Sequence, residues 1–279
     1  MKLNSGWAFF MNPFKNHLLI INTLSIDIAL GAVVSAGFFA KLSGSPIDYP
    51  VYTVLGLVVL IIYNVDHLLD VKFLDYERTS IRHEFFYRNY KPMLIMVVVL
   101  LAITFVVSLL LPTAILKAGA ILGVLVVCYL VFHRKLKFSK EVIGAMIYVV
   151  GILIPSIETG IKTPLYIYVL VFFITVLINL ILFSWFDFEM DKHSGQYSVM
   201  TLFGKRTGEY AIVILSLLQL MLFTYIFHEH SGSVEWFVLL MMNVMLIAIF
   251  LFRFRLKSND LYRLLGDSIF YFPVVLFII

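Results

Sequence analysis

The sequence predicts an all-α fold, a polytopic membrane bundle with its N-terminus inside and about nine transmembrane helices. Three observations carry this. Of 279 residues 62% are hydrophobic and 14% charged, with 26 phenylalanines and a mean hydropathy of +0.99, far more apolar surface than one soluble core hides. The apolar residues come in runs of roughly 20, the length that crosses hydrocarbon as a helix, and lack the alternation of an outer-membrane barrel. The charges fall in the gaps between these runs.

In chain order, the first span is expected from about Asn16 to Ala40 and the second from about Val51 to Asp70, with a polar segment from Val71 to Lys91. Spans three and four, about Met93 to Leu111 and Ala114 to Phe132, form a hairpin around Pro112. The basic stretch HRKLKFSK leads into a fifth span from about Val142 to Ile157. Gly160 and Pro164 mark the next turn, and a sixth span covers about Leu165 to Phe186. The acidic stretch WFDFEMDKHSGQYSVMT follows, then a seventh span from about Tyr210 to Phe227 and a turn over His228 to Ser233. An eighth span runs from about Val234 to Phe252, and a short ninth starts near Leu264. Residues 1–279 read as a single domain. No small-residue cleavage site follows a short apolar core at the N-terminus, so the first helix is expected to be retained.

Basic residues accumulate in cytoplasmic loops. With the N-terminus inside, all but Lys41, Lys117 and Lys162 of the 21 lysines and arginines fall on the cytoplasmic side. Every polar cluster able to carry chemistry shares that side, giving a multi-pass protein of a bacterial inner membrane with a cytoplasmic active site. The formal charge of +4 reads as topology and contact with membrane lipids, with no case for nucleic acid. Cys128, alone in the chain, excludes an intrachain disulfide and leaves the compartment undecided.

Two acidic pairs share a design. Asp66 and Asp70 close the second span, and Asp187 and Asp191 close the sixth. Residues four apart lie one above the other on a helix, so each pair presents two carboxylates to one hard cation, and two pairs facing one cavity would hold two Mg²⁺. Glu189 sits on the other side of a regular helix and joins only if the helix unwinds, as Gly195 allows. The competing reading is that helix ends at a membrane surface are commonly charged. Asp27, mid-span in the first helix, is costly there unless it faces partners or a cavity. Asn179 lies before Asp187 and either lines the same cavity or bridges helices. His67, His83 and His193 adjoin the clusters as scattered singles and read as structural or solvated.

With these residues in place the sequence resembles the UbiA superfamily of intramembrane aromatic prenyltransferases. The family's second acidic motif, roughly D-x-D-x-D-x-x-x-G, is matched by Asp187, Glu189, Asp191 and Gly195, with Glu in the middle position and Ser198 where a Thr would follow, six before Gly204. Of the first motif, N-D-x-x-D-x-x-x-D, Asp66 and Asp70 supply the last two acids, and Tyr63 takes the place of the first. Its R-T-x-x-R element fits Arg78 to Arg82 after a three-residue insertion. A third element, a Tyr followed by a basic pair, fits Tyr129 with Arg134 and Lys135, then Gly144.

The resemblance implies Mg²⁺-dependent transfer of a polyprenyl group from a polyprenyl diphosphate to a hydrophobic, aromatic acceptor. Its implied metal ligands are Asp66, Asp70, Asp187, Glu189 and Asp191, with the four aspartates as catalytic residues. The expected diphosphate partners are Arg78, Arg82, Arg134, Lys135 and Lys192, and Asp27, Tyr129, Tyr148 and Asn179 are, from their positions in the chain, the candidate prenyl or acceptor contacts. Release of diphosphate leaves an allylic cation, so the chemistry needs positive charge at one end and a dry aromatic wall at the other. Tyr129, Tyr148, Phe183, Trp185 and Phe186 are candidates for that wall, although such residues also fill cores and interfacial belts. Two other classes stay open: a protein that binds a lipid diphosphate without turnover, and a transporter. For the latter no repeat with midplane helix breaks is evident.

Overall fold

Helix formation follows the apolar runs closely. In a computed structural model, which describes residues 20–46, 48–71, 81–132, 136, 139–157, 165–193, 195–229, 234–257 and 261–278, no strand occurs among the described residues. The helices are α1 (Ile26–Ser43), α2 (Tyr49–Val71), α3 (Ile81–Arg88), α4 (Tyr90–Ser108), α5 (Thr113–Phe132), α6 (Lys140–Leu153) and α7 (Leu165–His193). They continue with α8 (Val199–Phe203), α9 (Lys205–Glu229), α10 (Val234–Leu251), α11 (Arg253–Leu256), α12 (Leu261–Ser268) and α13 (Val275–Ile278). Arg78, Arg134, Lys135 and the Gly160 and Pro164 turn lie outside the described residues.

Seven helices, α1, α2, α4, α5, α7, α9 and α10, are long and apolar enough to cross a membrane. The other two expected spans are shorter or broken. The fifth is the 14-residue α6 continued by a 3-10 turn at Ile154–Ser156, and the ninth is α12, a 3-10 segment at Ile269–Val274, then α13. Pro155 and Pro273 lie in the two 3-10 segments, where a missing N–H and a fixed φ interrupt α-helical bonding. The first span is also shorter than expected. Leu24 and Ser25 form a turn, Ser25 adopts φ 59°, and α1 begins only at Ile26.

Burial sorts the helices. In α1 and α7, 67% of the apolar window is buried; in α4 and α5 the figures are 6% and 11%, so the first two form the centre and the hairpin faces lipid. The 3-10 segment packs on α1, where Gly31 admits it: a Cβ there would lie 2.9 Å from the Cβ of Phe270. Away from the cavity described below, α7, α9 and α10 are cross-linked by a buried polar group. Gln219 Nε2 donates to the Val171 carbonyl at 3.0 Å and to Thr175 Oγ1, while Asn243 donates to Gln219. Hydrogen bonds of this kind tie helices together where lipid removes the hydrophobic drive.

Candidate functional site

Where α2, α5, α6, α7 and α12 diverge they enclose a cavity of about 540 Å³. Its wall on α2 extends from Val51 to Asp70, a rise of about 28 Å at helical pitch and close to the hydrocarbon thickness. One end is charged, lined by Asp66, Asp70, Arg82, Lys140, Asp187 and Asp191. The remainder is apolar, with Val54, Val58, Leu116, Leu122, Ile147 and Ile152 along its length.

Helical spacing places the α2 carboxylates as the sequence suggests. Asp66, His67 and Asp70 bring one ligand atom each within 4.8 Å of one another, a grouping that fits a divalent cation. His67 therefore belongs to the cluster, contrary to its reading as an isolated residue. Its Nε2 lies 3.3 Å from Arg82 Nη1 and 3.3 Å from Ser25 Oγ. Because a guanidinium only donates, Nε2 accepts from Arg82, which leaves the carboxylates as the harder ligands. His83 Nε2 lies 3.8 Å from Asp70.

Arg82 is brought to the site by α3 and fixed by Asn22, whose carbonyl oxygen and Oδ1 accept from Nη2 at 3.0 and 2.8 Å. Burial, with Arg263 nearby, pushes its guanidinium below the ordinary arginine range. Asp27 holds Asn22 in turn, accepting from its Nδ2 at 2.6 Å and from the Ile28 amide at 3.0 Å. Asp27, expected as a prenyl or acceptor contact, is placed elsewhere. It lies in the first turn of α1, because the helix starts late, and it does not line the cavity.

The α7 carboxylates separate. Asp187 and Asp191 both line the cavity, and Glu189 does not. Helix α7 stays regular through His193, with Gly195 at φ 66° just beyond, so no unwinding turns Glu189 inward, and its side chain pairs with Lys205 at 3.5 Å on the exposed side. Glu189, expected among the metal ligands, and Lys192, expected at the diphosphate, are thus not brought to the cavity: Lys192 is exposed and absent from the lining. Ser198 caps α8 in a reciprocal pair with Thr201. Of the aromatic candidates, Tyr129, Tyr148 and Phe183 line the cavity. Trp185 and Phe186 are core residues: Trp185 Nε1 donates to Glu209 at 2.7 Å, and Phe186 stacks on Tyr262 at 4.0 Å. Asn179 lines the cavity, and its buried Oδ1 has no hydrogen-bond partner among the described residues.

Sequence reasoning missed four lining residues. Arg263 and Asp267 lie one turn apart on α12. Glu141 is buried on α6, with Oε1 accepting from Ser184 Oγ and the Val199 amide, both at 2.9 Å, and Oε2 without a partner among the described residues. Lys140 reaches Gln196 at 3.5 Å. The available signal was the i, i+4, i+7 pattern of Arg263, Asp267 and Phe270 on one face of a terminal helix.

No protein-family model matches the sequence, and no curated protein does. Solved structures do match. A UbiA homologue from Archaeoglobus fulgidus bound to GPP and Mg²⁺ aligns over 93% of this chain and 99% of its own at TM-score 0.66 and 12% identity. The chain has the UbiA fold. The same homologue bound to DMAPP and Mg²⁺ gives TM-score 0.63 at 13% identity over the same shares. The structure described for digeranylgeranylglyceryl phosphate synthase gives 0.56 at 15% identity, over 91% of this chain and 96% of that one. The UbiA fold thus extends over nearly the whole chain and fits the motif resemblance.

Proposed function

We propose that the protein is an intramembrane prenyltransferase, moving a polyprenyl group from a prenyl diphosphate to a hydrophobic acceptor, an aromatic ring first among those to test. The observation that carries this is one cavity of the UbiA fold with a carboxylate and arginine end and a long apolar wall. That arrangement matches a ligand with an anionic head and an isoprenoid tail.

Asp66 and Asp70, with His67 beside them, would hold Mg²⁺. Bound there, the ion would neutralise diphosphate oxygens and ease departure of the leaving group. Arg82 and Lys140 would bind the same anion directly, Arg82 through the donors that Asn22 and His67 leave over and Lys140 as a point charge. As the allylic C–O bond breaks, diphosphate leaves with the electron pair, and Tyr129, Tyr148 and Phe183 present π faces toward the cationic carbon. The acceptor forms the new bond to that carbon and loses a proton. The apolar wall keeps water from capturing the cation. The basic-residue asymmetry supports a site on the cytoplasmic side of the membrane.

The test incubates the purified protein in lipid with Mg²⁺, a series of prenyl diphosphates and candidate acceptors, and follows diphosphate release. Release that needs both Mg²⁺ and an acceptor supports transfer. Tight Mg²⁺-dependent binding with no release for any pair would assign a non-catalytic lipid-diphosphate protein, and absence of binding would remove the proposal.

A further inference from the structure

We infer that Arg263 stands where a second divalent cation is expected, so that a diphosphate is held by one cation at Asp66 and Asp70 together with the guanidinium of Arg263. This rests on the prenyl diphosphate reading above and adds to it the charge make-up of the site.

The two acidic pairs look alike in sequence and differ in space. On α2 the carboxylates gather a third ligand atom within 4.8 Å, and among the described residues the α7 pair forms no such group. Asp187 is already committed. Its Oδ1 accepts from the Tyr262 hydroxyl at 2.7 Å and from Arg263 Nη2 at 2.8 Å, and its Oδ2 accepts from the same Nη2 at 2.7 Å. Both lone pairs of Oδ1 are thereby used. A divalent ion at Asp187 would have to expel a guanidinium or sit within a few ångströms of it in a site of low dielectric, where like charges repel strongly.

The guanidinium is fastened in place. Arg263 Nε donates to the Tyr262 hydroxyl at 3.1 Å, and the Tyr262 ring stacks on Phe186 at 4.0 Å with an interplanar angle of 11°. Arg263 also lines the cavity, and its Nη1 makes no hydrogen bond among the described residues. One carboxylate and one hydroxyl therefore set the orientation of a fixed positive charge whose remaining donor is available to an anion. Arginine meets phosphate with directed donors and keeps its charge when buried, so this helix places one fixed positive charge and a directed donor, partnered by Asp187, where an ion would otherwise sit.

Mn²⁺ counts the cations. The full-length protein, in discs of uncharged lipid, is saturated with an unreactive prenyl thiolodiphosphate, and bound Mn²⁺ is measured by electron paramagnetic resonance. One Mn²⁺ per chain is expected, lost in Asp70→Asn and retained in Asp187→Asn. Arg263→Gln is expected to weaken analogue binding by about tenfold to a hundredfold, the worth of a hydrogen bond to a charged group, and Arg263→Lys to restore part of that while the count stays at one. Two Mn²⁺ per wild-type chain, or undiminished analogue affinity in Arg263→Gln, overturns the inference and leaves the prenyl diphosphate reading standing. If the wild-type protein binds no analogue at any Mn²⁺ concentration, that reading fails and the inference falls with it.

Discussion

Glu141 accepts a hydrogen bond from the backbone amide of Val199 at 2.9 Å, across 58 positions of sequence. The same Oε1 accepts from Ser184 at 2.9 Å. One buried carboxylate thus fastens the start of α8 and a hydroxyl of α7 to α6, bracketing the turn that follows Asp191. Glu141→Ala leaves the Val199 amide without this acceptor, while Ser184 keeps the Leu180 carbonyl at 3.1 Å, and is expected to lower unfolding stability by about 1–3 kcal/mol. Glu141→Gln keeps the accepting oxygen and should cost less than half as much. Thermal denaturation in lipid discs checks both; equal losses in the two variants would contradict the role of Oε1.

Glu189 provides the contrast with its neighbours in the acidic stretch. Its exposed pair with Lys205 is of a type worth about 0–1 kcal/mol. Glu189→Gln and Lys192→Ala are therefore expected to leave turnover within about twofold of the parent protein. Asp70→Asn, which removes a carboxylate of the α2 group, is expected to lower it by on the order of a hundredfold. Steady-state diphosphate release measures all three, and a large loss in Glu189→Gln would mean that α7 opens in the working protein.

Length selection should reside on α5. Gly119 and Gly123 line the cavity, and a Cβ at either meets nothing within 4 Å. Gly123→Phe fills that free space without a clash at Cβ. Geranyl diphosphate is expected to bind as before, while geranylgeranyl diphosphate loses about tenfold or more in affinity. Competition binding with the two donors reads the ratio, and an unchanged ratio would place the prenyl chain along another wall.

Gly31 and Gly119 separate packing from helix propensity. A methyl at Gly31 falls 2.9 Å from the Phe270 Cβ, so Gly31→Ala must push the 3-10 segment off α1 and is expected to cost about 1–3 kcal/mol. Gly119→Ala, with open space around it, is expected to be neutral or to gain about 0.5–1 kcal/mol from the lost backbone freedom of glycine. Denaturation midpoints of the two variants should move in opposite directions or differ by at least the Gly31 cost.

Much of the fold was legible in the sequence because apolar run length and lipid thickness are matched quantities. The limits of α5 and the start of α7 follow the expected spans within a residue or two, since a local pattern decides them. The first span shows where locality fails: nothing in the sequence signals that Ser25 turns the chain and moves Asp27 from mid-span to a helix start.

Within the candidate site, the four aspartates were legible because i, i+4 spacing puts each pair on one helical face, and all four line the cavity. The inward set of Asp187 and Asp191 and the outward Glu189 follow from the same period once α7 is known to be regular. What the sequence by itself determined is an all-α membrane bundle with two acidic helix ends. Only the tertiary structure decided that one of these ends gathers three potential ligand atoms within 4.8 Å while the other is bonded by Arg263, 76 positions away. Helical periodicity fixes which residues share a face, but which distant charge meets that face depends on how α12 packs against α7, and a charge sees its partner through space rather than along the chain.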